Sequence, residues 1–127
     1  MKYVIDAYAW IEYLEGSRAG EKVRKILQDN NEIFSLNLTI SEVVSRIKRK
    51  GSDTEIAYQV IISNSQVAEI SHEVAKEAGL LHAETRKTIK DFGIADSLIL
   101  ALARELNAKI ITGDEHFRNF KEAILIK

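Results

Sequence analysis

The sequence predicts an α/β protein, a three-layer sandwich whose helices cover both faces of a mainly parallel sheet of four to five strands. Two observations carry that expectation. Short runs of strand-forming residues alternate along the chain with longer stretches whose apolar residues recur at helical spacing, the pattern of βαβ units. The stretch from Ile94 to Leu106 is apolar on most sides, as a helix pressed against a sheet must be. With 127 residues, 46% of them apolar, the chain has material for one buried core, so a single domain over residues 1–127 is expected.

Tyr3-Val4-Ile5 reads as the first strand, ended by Asp6. Trp10, Ile11 and Leu14 fit a short helix that begins near Tyr8 and stops near Gly16. Ser17 is an N-cap type, opening a second helix with Val23, Ile26 and Leu27 as its stripe. Ile33-Phe34-Ser35-Leu36 is the second strand. Thr39 opens the third helix, with Ile40, Val43, Val44 and Ile47 on one face and a close at Lys50-Gly51. Ser52 or Asp53 starts a fourth, whose apolar side is Ile56, Val60 and Ile61. Val67 to Ile70 is a third strand diluted by Ala68 and Glu69. Ser71 begins a long helix with Val74, Ala78 and Leu81 as its stripe and Gly79 as a weak point. Lys87 to Gly93 reads as a loop before the apolar helix from Ile94. Lys109 to Thr112 is the fourth strand and Ala123 to Ile126 the fifth.

Charge and composition exclude several classes. Lys and Arg total 18 against 19 Asp and Glu, so there is no polybasic arm or acidic tail. Without cysteine there is no disulfide framework, thiol nucleophile or Cys-based zinc site. The longest apolar run, Leu98 to Ala103, is too short for a bilayer, and Tyr3-Val4-Ile5 follows the first lysine without a signal-peptide pattern. A cytoplasmic protein without membrane attachment is expected. No Walker A or G-x-G-x-x-G sequence is present, which disfavours nucleotide-binding enzymes. Asp91-Phe92-Gly93 spells the kinase metal-binding tripeptide, but the chain is too short for that fold.

The carboxylates are the informative feature. Asp6 follows the first strand and Asp114 the fourth, while Glu42 and Asp96 sit in the first turns of predicted helices. Each has a local explanation. Thr39-Ile40-Ser41-Glu42 matches a capping box, Asp6 and Asp114 are N-cap types, and Asp96 complements a helix dipole. Taken together they point further. In a parallel sheet, strand C-termini and the N-termini of the following helices share the edge where ligands bind. Carboxylates from separate segments that converge there repel one another and call for protons or cations. Oxygen ligands without Cys or paired His favour hard divalent ions such as Mg²⁺ or Mn²⁺, and such a site suits phosphodiester hydrolysis.

Four segments carry a resemblance. Val4-Ile5-Asp6, Thr39-Ile40-Ser41-Glu42, Ala95-Asp96-Ser97-Leu98-Ile99-Leu100-Ala101 and Ile111-Thr112-Gly113-Asp114-Glu115-His116-Phe117 resemble, in order, the motifs of the PIN-domain nucleases. In length the chain is similar to the VapC toxins of prokaryotic toxin–antitoxin pairs. The resemblance implies a PIN-like fold and a Mg²⁺- or Mn²⁺-dependent ribonuclease. It implies that Asp6, Glu42, Asp96 and Asp114 form the metal site, with Thr112 positioning it by hydrogen bonding. It further implies in-line attack of an activated water on RNA, leaving a 5′-phosphate and a 3′-hydroxyl. The implied partners are a cognate antitoxin and a second copy of the chain in a homodimer.

Other residues have two readings each. Arg46, Lys48, Arg49 and Lys50 form the densest basic cluster, suited to RNA phosphates or to the dipole of a helix C-terminus. Trp10 and Tyr13 suit base stacking or a partner contact, and equally core burial. His72, His82 and His116 lack metal-ligand spacing; His116, two residues after Asp114, suits an approach to the phosphate, but a solvated position is the expectation. Asp91 and Glu115 are acidic neighbours of the motifs, left outside the metal set. Val43, Val44 and Ile47, with Ile56 and Val60, suit either a dimer patch or the core. Two rival functions remain: a phosphoacceptor receiver domain and a non-catalytic module of the same fold. The receiver requires an acceptor Asp directly after the third strand, whereas Asp53 follows Lys50-Gly51-Ser52.

Overall fold

The computed structural model describes residues 1–127. Its elements run β1 (Lys2–Ile5), α1 (Ala7–Leu14), α2 (Arg18–Gln28), β2 (Glu32–Leu36), α3 (Asn37–Arg49), α4 (Thr54–Asn64), β3 (Gln66–Ala68), α5 (His72–Thr85), α6 (Ile94–Leu106), β4 (Lys109–Thr112) and β5 (Ala123–Leu125). A single 3₁₀ turn, Glu115–Phe117, precedes β5. All five strands are parallel, in the order β3-β2-β1-β4-β5. Connections run outward in both directions from β1, so the crevice between the C-terminal ends of β1 and β4 is the switch point of the sheet.

Alternation along the strands separates two cores. Val4 and Ile110 face one side, with Val74, Ala78, Phe92 and the buried run Leu98–Ala103 of α6. Ile5 and Ile111 face the other, with Ala9, Trp10, Val23, Val43, Ile47, Ala57 and Ile61 from α1 to α4. The three-layer sandwich expected from the sequence is therefore the observed one, with a five-stranded parallel sheet.

Caps set most of the helix starts. Asp6, Ser17, Asp53 and Ser71 each accept a backbone N–H from the first turn that follows. Gly16 and Gly51 take positive φ of 67° and 76° where α1 and α3 end, and Asn107 does the same at 55° after α6.

Two expectations need correction. Helix α3 starts at Asn37, not Thr39, because β2 runs straight into it at Leu36, which offers no side-chain cap. The Thr39-to-Glu42 capping box therefore does not form, and Glu42 lies in the second turn of α3, not the first. Thr39 is fully buried with its hydroxyl unpartnered. In α4 the buried pair is Ala57 and Ile61, while Ile56 is 60% exposed. Ile56 lies about 100° around the helix from Ala57, off the face toward the core. Of the two readings of Val43 and Ile47, the core one is observed.

Candidate active site

The register of β1 against β4 builds the centre of the site. Ile5 pairs with Ile111, and the Asp6 N–H donates to the Ile111 carbonyl at 3.2 Å. Asp6 thus leaves β1 beside Thr112, the last residue of β4. Its carboxylate accepts the Ala9 N–H at 2.9 Å and the Thr112 hydroxyl. The same hydroxyl oxygen accepts the Asp114 N–H at 3.0 Å. One buried threonine therefore ties the acid after β1 to the acid after β4.

Asp114 caps the 3₁₀ turn by accepting the His116 N–H at 2.9 Å. That turn swings the imidazole back, so that His116 Nδ1 stands 3.2 Å from Asp114 Oδ1. Asp96 arrives from the first turn of α6, where its carboxylate accepts the Gly93 N–H at 2.9 Å. Glycine has no side chain to return that bond, so only half of a capping box forms. Asp96, Asp114 and His116 bring one ligand atom each to within 4.8 Å of one another.

Electrostatics couple the members of the group. Burial pushes the Asp6 carboxyl up from 3.8 to about 7, against the bonds from Thr112 and Ala9, and the charges of Asp114 and Asp96 push it further. Asp96 is raised first by burial and then by Asp114, with the Gly93 N–H and His116 opposing. Glu42 is raised by loss of hydration and by the charge of Asp96, although much of its surface remains exposed. No lysine or arginine neutralises these acids. The ion pairs of those residues lie elsewhere: Arg24–Glu21, Lys50–Glu15, Lys87–Glu84, Arg104–Glu122, Arg118–Glu115 and Lys127–Glu12.

Such a set fits a divalent cation. Carboxylate oxygens are hard donors, and an ion would offset both the burial and the mutual repulsion that raise Asp6 and Asp96. One imidazole beside carboxylates is compatible with Mn²⁺ as well as Mg²⁺.

Of the residues singled out by sequence, Asp6, Thr112, Asp96 and Asp114 are brought together. Glu42 reaches the group through its charge, from the exposed side of α3. Asp91 and Glu115 are exposed, and Glu115 is engaged by Arg118. Arg46 lies one turn beyond Glu42 on α3. Lys48, Arg49 and Lys50 continue toward the opposite edge of the sheet, and Lys50 pairs with Glu15. Trp10 is no stacking residue: it is fully buried and donates its indole N–H to Ser35 Oγ at 2.9 Å. Tyr13 packs edge-on against it, ring centroids 6.0 Å apart. Asp53 caps α4 through the Glu55 and Ile56 N–H groups, so the receiver reading finds no acceptor after β3.

Two residues were missed. His116 was expected in solvent, because two-residue spacing from Asp114 has no helical or strand meaning. Only the 3₁₀ turn, too short for any periodicity, brings it back. Tyr8 reads from the sequence only as the start of α1, yet its ring lies against Gly113, between Thr112 and Asp114. A Cβ on Gly113 would fall 2.4 Å from Tyr8 Cε1, so only glycine admits the ring there.

Comparison with known proteins places the fold in a family. The family model of the PIN domain matches residues 3–123. A toxin–antitoxin complex from Klebsiella pneumoniae is similar in structure, with a TM-score of 0.76, 21% identity and 98% of each chain covered. VapBC2 from Rickettsia felis, solved with a DNA fragment from its promoter, has a TM-score of 0.77 at 19% identity, covering 98% of this chain and 97% of that one. VapC20 of Mycobacterium tuberculosis, described as a sarcin–ricin loop cleaving toxin, has a TM-score of 0.74 at 15% identity, with 91% and 92% covered. No curated protein matches the sequence. At these identities the structural likeness establishes the fold.

Proposed function

From the premise that the chain belongs to the PIN-domain family, we propose that it is a Mg²⁺- or Mn²⁺-dependent endoribonuclease and the toxin of a toxin–antitoxin pair. The observation that carries this reading is the un-neutralised set Asp6, Asp96 and Asp114 at the switch point of the sheet, with His116 beside it.

Asp96, Asp114 and His116 would hold the cation, with Asp6 and Glu42 adding negative charge around it. The ion, when bound, supplies Lewis-acid stabilisation of the charge that develops on phosphate oxygens during hydrolysis. The protein's part is to hold the ligands still. Thr112 fixes Asp6 and the backbone of Asp114 with one hydroxyl, and Gly93 fixes Asp96 through its N–H. Rigid outer contacts of this kind orient ligands and sharpen ion affinity. Hydrolysis then forms a bond from water oxygen to phosphorus and breaks the P–O bond to the departing 3′-oxygen, giving a 5′-phosphate and a 3′-hydroxyl.

The fold likeness to toxins solved with their antitoxins supports a cognate antitoxin as partner. Homodimerisation and a cytoplasmic setting belong to the same reading. No helix is long and apolar enough to cross a membrane. Incubation of purified protein with single-stranded and structured RNAs in Mn²⁺ or Mg²⁺ tests the proposal. Cleavage should stop with EDTA and fall steeply in Asp6→Asn and Asp96→Asn. Cleavage that survives EDTA, or is undiminished in both variants, would overturn it.

A further inference from the structure

Beside the acidic centre runs a groove of about 230 Å³ lined by Tyr8, Ile11, Glu12, Arg46 and Lys127. We propose that it is a nucleotide subsite for single-stranded RNA, in which the Tyr8 ring stacks on a base flanking the scissile phosphate and Arg46 holds a backbone phosphate. This deepens the ribonuclease reading and rests on it for the identity of the acidic centre.

The placement carries the argument. Tyr8 follows Asp6 by two residues and lies on Gly113, the neighbour of Asp114, so its ring borders the acids on the α1 side. Gly113 does not need positive φ, and its missing side chain is explained by the close approach of the ring. Arg46 follows Glu42 by four residues, on the same face of α3, and lines the groove together with Tyr8. Tyr8 is 37% exposed whereas Trp10, the other ring at the start of α1, is wholly buried. Tyr8 therefore keeps part of its ring exposed at the groove, where Trp10 belongs wholly to the core.

The cations differ in their readiness. Arg46 makes no ion pair and is exposed, so its guanidinium is free for phosphate. Lys127 Nζ is already placed, donating to the Tyr8 hydroxyl at 2.9 Å, 3.5 Å from Glu12 Oε1 and 5.0 Å from the Tyr8 ring centroid. It therefore orients the ring. Glu12, the one acid in the groove, is occupied by Lys127 and by the Ser17 hydroxyl at 3.0 Å. The groove thus offers RNA what the acidic centre lacks, a π-face and a cation. Stacking is tolerant of base identity, so this subsite gives affinity and register without dictating sequence.

The test measures binding of a fluorescein-labelled single-stranded RNA dodecamer of mixed sequence by anisotropy, in EDTA, over a series of salt concentrations. Tyr8→Ala should weaken binding about tenfold, and Tyr8→Phe should stay within about threefold of the wild type. Arg46→Gln should lower the slope of log K against log salt by about 0.7, and Tyr8→Ala should leave that slope unchanged. Circular dichroism confirms folding, with Tyr8→Leu as substitute if Tyr8→Ala is unfolded. Wild-type affinity in a folded Tyr8→Ala or Tyr8→Leu, an unchanged slope in Arg46→Gln, or no binding by the wild type would each overturn the subsite. Parallel cleavage assays in Mn²⁺ separate the two readings. Cleavage indifferent to Tyr8 and Arg46 sinks the subsite alone, and groove-dependent binding without cleavage sinks the nuclease alone.

Discussion

Asp6→Asn is expected to stabilise the ion-free protein at neutral and higher pH. The Asp6 carboxyl is raised from 3.8 to about 7, chiefly by burial. At about 1.4 kcal/mol per tenfold in proton affinity, that rise corresponds to about 4 kcal/mol. Because the folded pKa lies above the unfolded one, the folded state binds the proton more tightly. The stabilising contribution is therefore full below about pH 4 and is lost as pH climbs to about 7. Asparagine has nearly the same shape, keeps an oxygen for the Ala9 N–H and carries no charge. In EDTA at pH 8 the variant should gain up to about 4 kcal/mol, which is roughly 15 °C in Tm for a chain of this size. At pH 4 the two proteins should melt together. Thermal and urea unfolding of both, from pH 4 to pH 8.5, gives the comparison, and subtraction removes every carboxylate common to the pair. A variant no more stable than the wild type at pH 8, or one with the same pH dependence, would refute the reasoning.

Other substitutions probe the framework. Gly20→Ala should cost about 1–3 kcal/mol in urea unfolding, because its Cβ would lie 2.3 Å from the Glu12 carbonyl oxygen and 2.9 Å from Tyr13 Cα, forcing α1 and α2 apart. Thr112→Val removes the donor to Asp6 and the acceptor of the Asp114 N–H; calorimetry should show Mn²⁺ affinity reduced about 10- to 100-fold. Trp10→Phe loses the indole bond to Ser35, which keeps its 2.9 Å contact with Ser65. The expected cost is about 1–2 kcal/mol by thermal melting.

Where local chemistry decided the structure, the sequence was readable. Asp6, Ser17 and Ser71 were recognisable as caps because their acceptors act within one turn, and α6 and β4 stand where their apolar runs stand. Periodicity also told which strands lie between helices, and hence that acids after β1 and β4 share an edge. It failed where tertiary packing chose between near-equal local options. Leu36 and Thr39 pack into the core and draw α3 two residues toward β2, which a capping-box pattern does not reveal. Ile56 lost its core place to Ala57 because a small residue on the i, i+4 line with Ile61 suffices there. The site shows the same division. Asp6, Asp96 and Asp114 follow from topology, whereas His116 depends on a single 3₁₀ turn and Tyr8 on a glycine across the sheet edge.

The most direct measurement is the end chemistry of RNA fragments released with Mn²⁺ present and with Mn²⁺ removed. Water attack at the acidic centre should leave 5′-phosphate and 3′-hydroxyl ends. These products should appear only with the divalent ion and disappear in Asp96→Asn. Fragments ending in 2′,3′-cyclic phosphate, formed when the RNA's own 2′-hydroxyl attacks, or 5′-phosphate fragments released in EDTA, would contradict the account.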